Sequence, residues 1–427
     1  GPRPKGGDAV IAFDSPKFEQ TAAFDEETLR VYDICNGCRR CFNLCPSFDV
    51  LFRGIDDKDG ELGALEKPLQ DRVVDLCYYC KLCFNHCPYC PPHDYDLDFP
   101  RLMIWGKYLK AKQKKPSLRD RLLVNVEGLG RLGGLIAPFV NWALRRPWFR
   151  KIQEAVMGIH RDRLLPFFHR QSFSTWFNLT GKRGSSETGN GKAALFYTCY
   201  VNQHNPGIGK AALAVLRKNG VEVACPKQEC CGMPYYDTGD LESVRKKAAA
   251  NIATLLPAVD AGYTIVAPMP TCSLMLKKEY PDLLRSEAAK KVAEHTMDLC
   301  EYLMKLESEG KLSKDFIWNP GKIAYQVPCH LRDQNIGFKS RDLLRLTGAK
   351  VQVIERCTGH DGSFGVKKEF YDLSVKVGRK AFGEAERGEA EIVSSDCPLS
   401  GLALTQATEK RSLHPVEIIQ RAYGMKP

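Results

Sequence analysis

Cys35-x2-Cys38-x2-Cys41-x3-Cys45-Pro46 and Cys77-x2-Cys80-x2-Cys83-x3-Cys87-Pro88 are two copies of one spacing, set 42 residues apart. Runs of this kind hold [4Fe–4S] clusters in pairs. Thiolates at i, i+3 and i+6 in a turning segment converge on three corners of one cube. The fourth cysteine is carried past the turn and reaches the other cube. Cys35, Cys38, Cys41 and Cys87 are therefore read as the ligands of one cluster, and Cys77, Cys80, Cys83 and Cys45 as those of a second. The proline after each fourth cysteine turns the chain away and offers no competing N–H donor. Structural zinc is the competing reading. Zinc sites pair one C-x2-4-C with a distant second pair of ligands, which is not the pattern here.

The rest of the composition fits that start. A chain of 427 residues has room for two or three domains. Its 18 cysteines could serve disulfides in a secreted protein. The spacings instead read as metal sites, and residues 1–10 hold no apolar stretch of the secretory type. The expected location is cytoplasmic, with peripheral attachment to the inner membrane as a variant. Residues 101–170 carry 16 Lys or Arg against 4 Asp or Glu, so that segment is +12 in a chain whose net charge is +11. A basic patch this local speaks of a partner surface rather than of fold.

Taken in order, residues 1–30 read as an N-terminal arm and 31–100 as a mainly helical two-cluster domain. A helix near Glu26–Ile34 delivers Cys35, and another leads into Cys77. Cys90 reads as a bystander near the second cluster. Residues 101–180 read as a basic amphipathic helical connector. Its apolar part is interrupted by Arg131, Pro138 and Asn141 and falls short of the roughly 20 residues a spanning helix needs. An interfacial segment anchored by Trp142, Trp148, Phe149 and flanking Arg fits membrane surface and partner surface equally. No recognition motif accompanies these charges, which argues against nucleic acid. Residues 181–192 read as a flexible linker.

Beyond it, strands alternate with 10–15-residue helices. Ala193–Thr198, Val221–Ala224 and Tyr263–Ala267 read as strands, followed by Cys199, by Cys230-Cys231-Gly232 and by Cys272. The plan repeats over Lys322–Val327, Val351–Ile354 and Glu391–Ser394, followed by Cys329, Cys357 and Cys397. Such alternation means parallel α/β sheets. Two modules, 193–315 and 316–427, should then carry their cysteines at strand C-termini and face one crevice. The fold class is α+β multidomain.

These residues resemble the CCG-domain iron–sulfur oxidoreductases. That family includes the B and D components of heterodisulfide reductase, the iron–sulfur component of glycolate oxidase and the C component of anaerobic glycerol-3-phosphate dehydrogenase. The stretches Phe99–Met103, Leu118–Leu123, Gly158–Arg161 and His414–Gly424 are similar to the last of these. A full motif in the family is one Cys, then Cys-Cys-Gly, then Cys-x-x-Cys. Here Met275 stands where the first module would have its last Cys, and Thr358 and Ser400 replace two in the second. Five-cysteine clusters are therefore not expected. Cys199, Cys230, Cys231 and Cys272 can still hold a third cluster or a zinc ion. Cys329, Cys357 and Cys397 make a thinner set, with His330 and His360 as substitutes; buried free thiols are the alternative.

Three functions compete. In the first, the chain is an electron-transfer subunit fed by a flavoprotein dehydrogenase; the resemblance implies a membrane quinone pool as acceptor. In the second it is itself a disulfide or quinone reductase at the C-terminal crevice. In the third the C-terminal half is a zinc-binding docking scaffold. No G-x-G-x-x-G follows a strand, so neither flavin nor nicotinamide is expected in this chain.

Overall fold

The computed structural model describes residues 12–114, 116–181, 189–360 and 362–426. Most of the linker expected at 181–192, and the first part of the arm, lie outside them. The chain divides into two compact units: 1–117 with 234–244, and 118–233 with 245–427.

In the first unit, helices Thr21–Cys38, Pro46–Asp56, Lys67–Leu76 and Phe99–Gln113 pack around buried Val31, Leu51, Phe52, Ile55, Val73 and Leu102. Two sequence expectations change here. The described part of the arm is packed into this unit: Phe13 and Phe18 are buried, and Trp105 donates its indole N–H to Phe18 O at 2.7 Å. The apolar run Leu102–Leu109 is not part of a surface connector. Its helix is apolar on nearly all sides, which buries it in a core. Two of the lysines that follow are already neutralised, Lys110 by Asp75 at 2.6 Å and Lys112 by Glu19 at 2.5 Å.

Residues 234–244 follow Cys230-Cys231-Gly232 directly, yet they belong to this first unit. Tyr236 is fully buried there against Tyr79, with ring centroids 5.0 Å apart. Lys107 pairs with Asp237 at 2.7 Å and donates to Cys77 O at 2.5 Å. The module expected as one piece over 193–315 is interrupted at this point.

The second unit holds two four-stranded parallel sheets. The first comprises β1 (Gly191–Leu195), β2 (Val221–Ala224), β3 (Thr264–Ala267) and β4 (Thr296–Asp298), in the order β2-β1-β3-β4. The second comprises β5 (Lys322–Gln326), β6 (Lys350–Ile354), β7 (Ile392–Ser394) and β8 (Ser412–Leu413), in the order β6-β5-β7-β8. Three strands of each sheet were legible. The fourth, of three and two residues, is too short to leave a periodicity. Each fourth strand runs into a helix through a capping box: Asp298 with Glu301, and His414 with Glu417. Helix Leu299–Ser308 then packs on Lys339–Arg345 of the other module, and Pro415–Ala422 packs on Pro206–Lys218. The exchange is reciprocal, and it fuses the modules around one core that includes Leu216, Leu303, Ile323, Tyr325, Leu343 and Ile418.

Candidate metal centres

The first unit gathers its eight cysteines from helix ends and turns. Cys35 and Cys38 lie on the last turn of Thr21–Cys38, closed by Arg39 in the left-handed conformation. Cys45 caps Pro46–Asp56, Cys77 ends Lys67–Leu76, and Cys83 sits in Leu82–His86, which Cys87 ends. Burial pushes the Cys35 thiol up, and Cys41, Cys87 and Cys38 push it further. Cys41 is raised to about 11 by burial, then by Cys87 and Cys38. Cys45 is held well up by burial and by Cys80 and Cys77. Cys83 is raised well up by burial, then by Cys80, Cys45 and Cys77, and last by Cys41. Cys87 thus neighbours the first run, and Cys45 neighbours the second. Thiols crowded this way stay protonated until a cation compensates their charge, so metal loading would release protons. Cys90 donates its S–H to Cys87 O at 3.3 Å. It therefore keeps company with the Cys87 group rather than the second set.

In the first C-terminal module the strand ends bring Cys199, Cys230, Cys231 and Cys272 into one buried chain of sulfurs. Cys272 Sγ lies 3.4 Å from Cys231 Sγ, and Cys230 is hydrogen-bonded to Cys199 and to Cys231. Cys230 is held well below the usual thiol range, first by hydrogen bonds from Cys199 and Cys231 and then by Gly232 N–H and Lys247. The same contacts, with burial, push Cys199 and Cys231 well up. Four thiols sharing one low-pKa member make a donor set that suits a soft metal centre. Met275 occupies the missing position and is fully buried.

Sequence reasoning missed the residues that hold this loop. Cys230 donates its N–H to Glu127 Oε1 at 2.6 Å, and Lys247 pairs with Glu127 at 2.7 Å. Asn251 donates to Cys230 O at 3.4 Å, and Tyr280 to Cys231 O at 2.9 Å. The one signal available was Glu127 itself, a rare acid within a basic segment.

The second module is different. Thr358 and Ser400, the two cysteine replacements, are buried and hydrogen-bonded to each other at 3.2 Å. Cys329, Cys357 and Cys397 keep their strand-end positions. His330 Nδ1 is engaged with Thr271 Oγ1 at 2.9 Å. His360 is buried, neither ring nitrogen has a hydrogen-bond partner among the described residues, and burial lowers it to about 3. It is therefore a neutral imidazole, the form that can ligate. Gly359 sits at φ +70°, and a Cβ there would lie 1.9 Å from Ser374 O. Gly359→Ala should cost about 2 kcal/mol or more, read as a lowered melting temperature.

The strand-end loops of the two modules meet. Gln334 donates to Pro270 O at 3.0 Å and to Ser273 Oγ at 2.8 Å, and His414 Nε2 bonds Pro268 O at 2.8 Å. Beside them is a cavity of about 660 Å³ whose lining includes Pro138, Phe167, Tyr200, His204, Pro398 and Leu413. Tyr200 and Pro398 directly follow Cys199 and Cys397.

The model of the Citrate utilization protein B Fer4-like domain matches residues 28–114, and that of the CCG cysteine-rich domain matches 193–277 and 323–405. The C component of anaerobic glycerol-3-phosphate dehydrogenase from Escherichia coli K12 is 29% identical over 317 residues, covering 73% of this chain and 79% of its own. Lactate utilization protein A of Bacillus pumilus is 29% identical over 218 residues, covering 48% and 87%. The B component of the fumarate reductase (CoM/CoB) of Methanothermobacter marburgensis is 28% identical over 235 residues, covering 53% and 44%. The chain thus carries a helical Fer4-like domain followed by a duplicated CCG cysteine-rich domain, and with these relatives it is an iron–sulfur electron-transfer subunit of an oxidoreductase.

Proposed function

We propose that the chain carries electrons from a flavoprotein dehydrogenase toward a membrane quinone pool, on the cytoplasmic face of the inner membrane. The observation that carries this reading is the grouping of eight thiols into two crossed sets of four, Cys35, Cys38, Cys41 and Cys87 against Cys45, Cys77, Cys80 and Cys83. Each set fits one [4Fe–4S] cluster, a one-electron carrier whose potential is set by burial and by hydrogen bonds to sulfur. Cys199, Cys230, Cys231 and Cys272 form a third metal centre. The cavity behind Tyr200 and Pro398 supports an acceptor ring with two carbonyls near it, because Pro138, Phe167 and Leu413 offer apolar surface while His204, Arg170 and Arg411 offer polar groups. The relatives named above belong to oxidoreductases of differing substrates, and the donor's substrate is carried by the partner.

Iron, acid-labile sulfide and zinc in protein purified without oxygen test this reading. About 12 Fe per chain places a cluster at the third centre, and about 8 Fe with one zinc makes that centre a docking element. Fewer than about 8 Fe overturns the two-cluster assignment. If the reduced protein passes electrons to a disulfide and not to a short-chain quinone, the intrinsic-reductase reading replaces this one.

A further inference from the structure

Three consecutive helices, Val126–Leu135, Ala137–Leu144 and Pro147–Met157, are built inside out. Their inward faces are Gly130, Gly133, Gly134, Ala137, Ala143, and the charged side chains Arg150 and Glu154. Their outward faces carry Leu132, Leu135, Ile136, Phe139, Trp142, Trp148, Ile152 and Val156, with Leu135 76% and Val156 79% exposed. Twelve of the seventeen exposed large apolar side chains among the described residues fall between Leu118 and Phe167, so this surface is not ordinary scatter. The spacing is helical: 132, 135, 136, 139 and 142 form one stripe, and 148, 152 and 156 a second. Phe139, Trp142 and Trp148 join the stripes through ring contacts of 5.9 and 6.4 Å.

The charge around this ridge has one sign. Arg131, Arg145, Arg146 and Lys151 are exposed and make no ion pair among the described residues. Arg146 lies over the Trp142 ring at 5.1 Å, and Arg145 over Phe167 at 4.9 Å. Behind the third helix is a cavity of about 620 Å³ lined by Arg145, Arg150, Lys151, Arg161 and Arg163 and by the acid Asp162, with Arg161 itself paired to the buried Glu154. Its floor is apolar, with Leu144, Leu165 and Phe167. Arg163 is buried and spends its N–H groups on Gly365 O and Ser374 Oγ, both uncharged.

From these observations we infer that the three helices are a docking surface for an anionic phospholipid bilayer. The ridge enters the headgroup–acyl boundary, and the basic cavity takes a lipid phosphate with acyl chain against its leucines. No helix among the described residues is long and apolar enough to cross a membrane. Helices of 10, 8 and 11 residues instead lie in the interface plane, with aromatic rings and arginines at headgroup level. Each unpaired cation adds to the attraction of an anionic surface. The inference deepens the membrane half of the proposed function. It rests on that reading only for what the docking delivers.

The test is flotation of the metal-loaded full chain with vesicles of phosphatidylcholine alone and of phosphatidylcholine mixed with phosphatidylglycerol. Binding is expected to be at least about tenfold tighter to the mixed vesicles and to weaken with salt. Phe139→Glu with Trp142→Glu should abolish binding to both. Arg145→Glu with Lys151→Glu should remove the preference for phosphatidylglycerol, while Lys376→Glu, on an exposed helix face elsewhere, should leave it intact. Equal binding to both vesicle types overturns the preference for anionic lipid. No binding to either overturns the docking surface and leaves the ridge to a protein partner. Iron content is measured on every sample. Normal iron without vesicle binding refutes the docking alone. Vesicle binding by a chain that cannot be loaded refutes the electron-transfer reading alone.

Discussion

Replacing Cys87 by Ala is expected to remove the cluster whose other ligands lie at Cys35, Cys38 and Cys41. About 4 of the roughly 8 N-terminal iron atoms should go, although Cys87 is 46 residues from Cys41 and only 4 from Cys83. The reason is in the packing: Cys35 and Cys41 feel Cys87, whereas Cys83 feels Cys80, Cys45 and Cys77 ahead of Cys41. Double substitutions separate this from local ligation. Cys35→Ala with Cys87→Ala strikes one cluster twice and should lose no more iron than Cys87→Ala alone. Cys77→Ala with Cys87→Ala strikes both clusters and should lose the whole N-terminal complement. Ligation within each run predicts the reverse, and the iron and sulfide counts decide between them.

Asp396→Ala should be the most destabilising single change outside the metal sites. Asp396 lies at the joint between the modules and is almost fully buried. It accepts hydrogen bonds from Tyr325 OH at 2.5 Å, Ser340 Oγ at 2.6 Å and Cys300 Sγ at 3.4 Å. Truncation strands three buried donors at once, a loss of about 3–5 kcal/mol and a fall in melting temperature on the order of 10 °C. Asp298 faces the same cluster and behaves differently. Burial, then Asp396, pushes its carboxyl well above the usual range, and its Oδ2 has no partner among the described residues. Its protonated form is the favoured one of the two. Asp298→Asn preserves the oxygen that caps Cys300 N and should cost under about 1 kcal/mol. Thermal melts of the two variants check the contrast, and equal losses would overturn it.

Much of this protein is written locally. The two cysteine runs, the repeat of strand, helix and cysteine at offsets of 130 and 125 residues, and the missing cysteines at Met275, Thr358 and Ser400 are all legible without a fold. Each depends on spacing along one segment. The site residues read that way include every cysteine that the folded chain groups in its first C-terminal module, and the eight of the two runs in its first unit. The short fourth strands, β4 and β8, were not legible, because two or three residues carry no period.

Tertiary structure decided what depends on residues far apart in sequence. Leu102–Leu109 and Leu132–Val156 look alike as apolar, basic-flanked segments, yet one is a core helix and the other an exposed ridge. What separates them is which faces find partners, and that is set by Phe18, Phe24 and Trp105 on one side and by Gly130, Gly133 and Glu154 on the other. Glu127 at the Cys230 loop, the Thr358–Ser400 bond, and the joint at Asp298 and Asp396 arise the same way. The sequence by itself determined which thiols are available and on what spacing, because ligand geometry is local. Only the folded chain decided which of them share a neighbourhood and which apolar surface is left bare, because burial and charge pairing are properties of the whole packing.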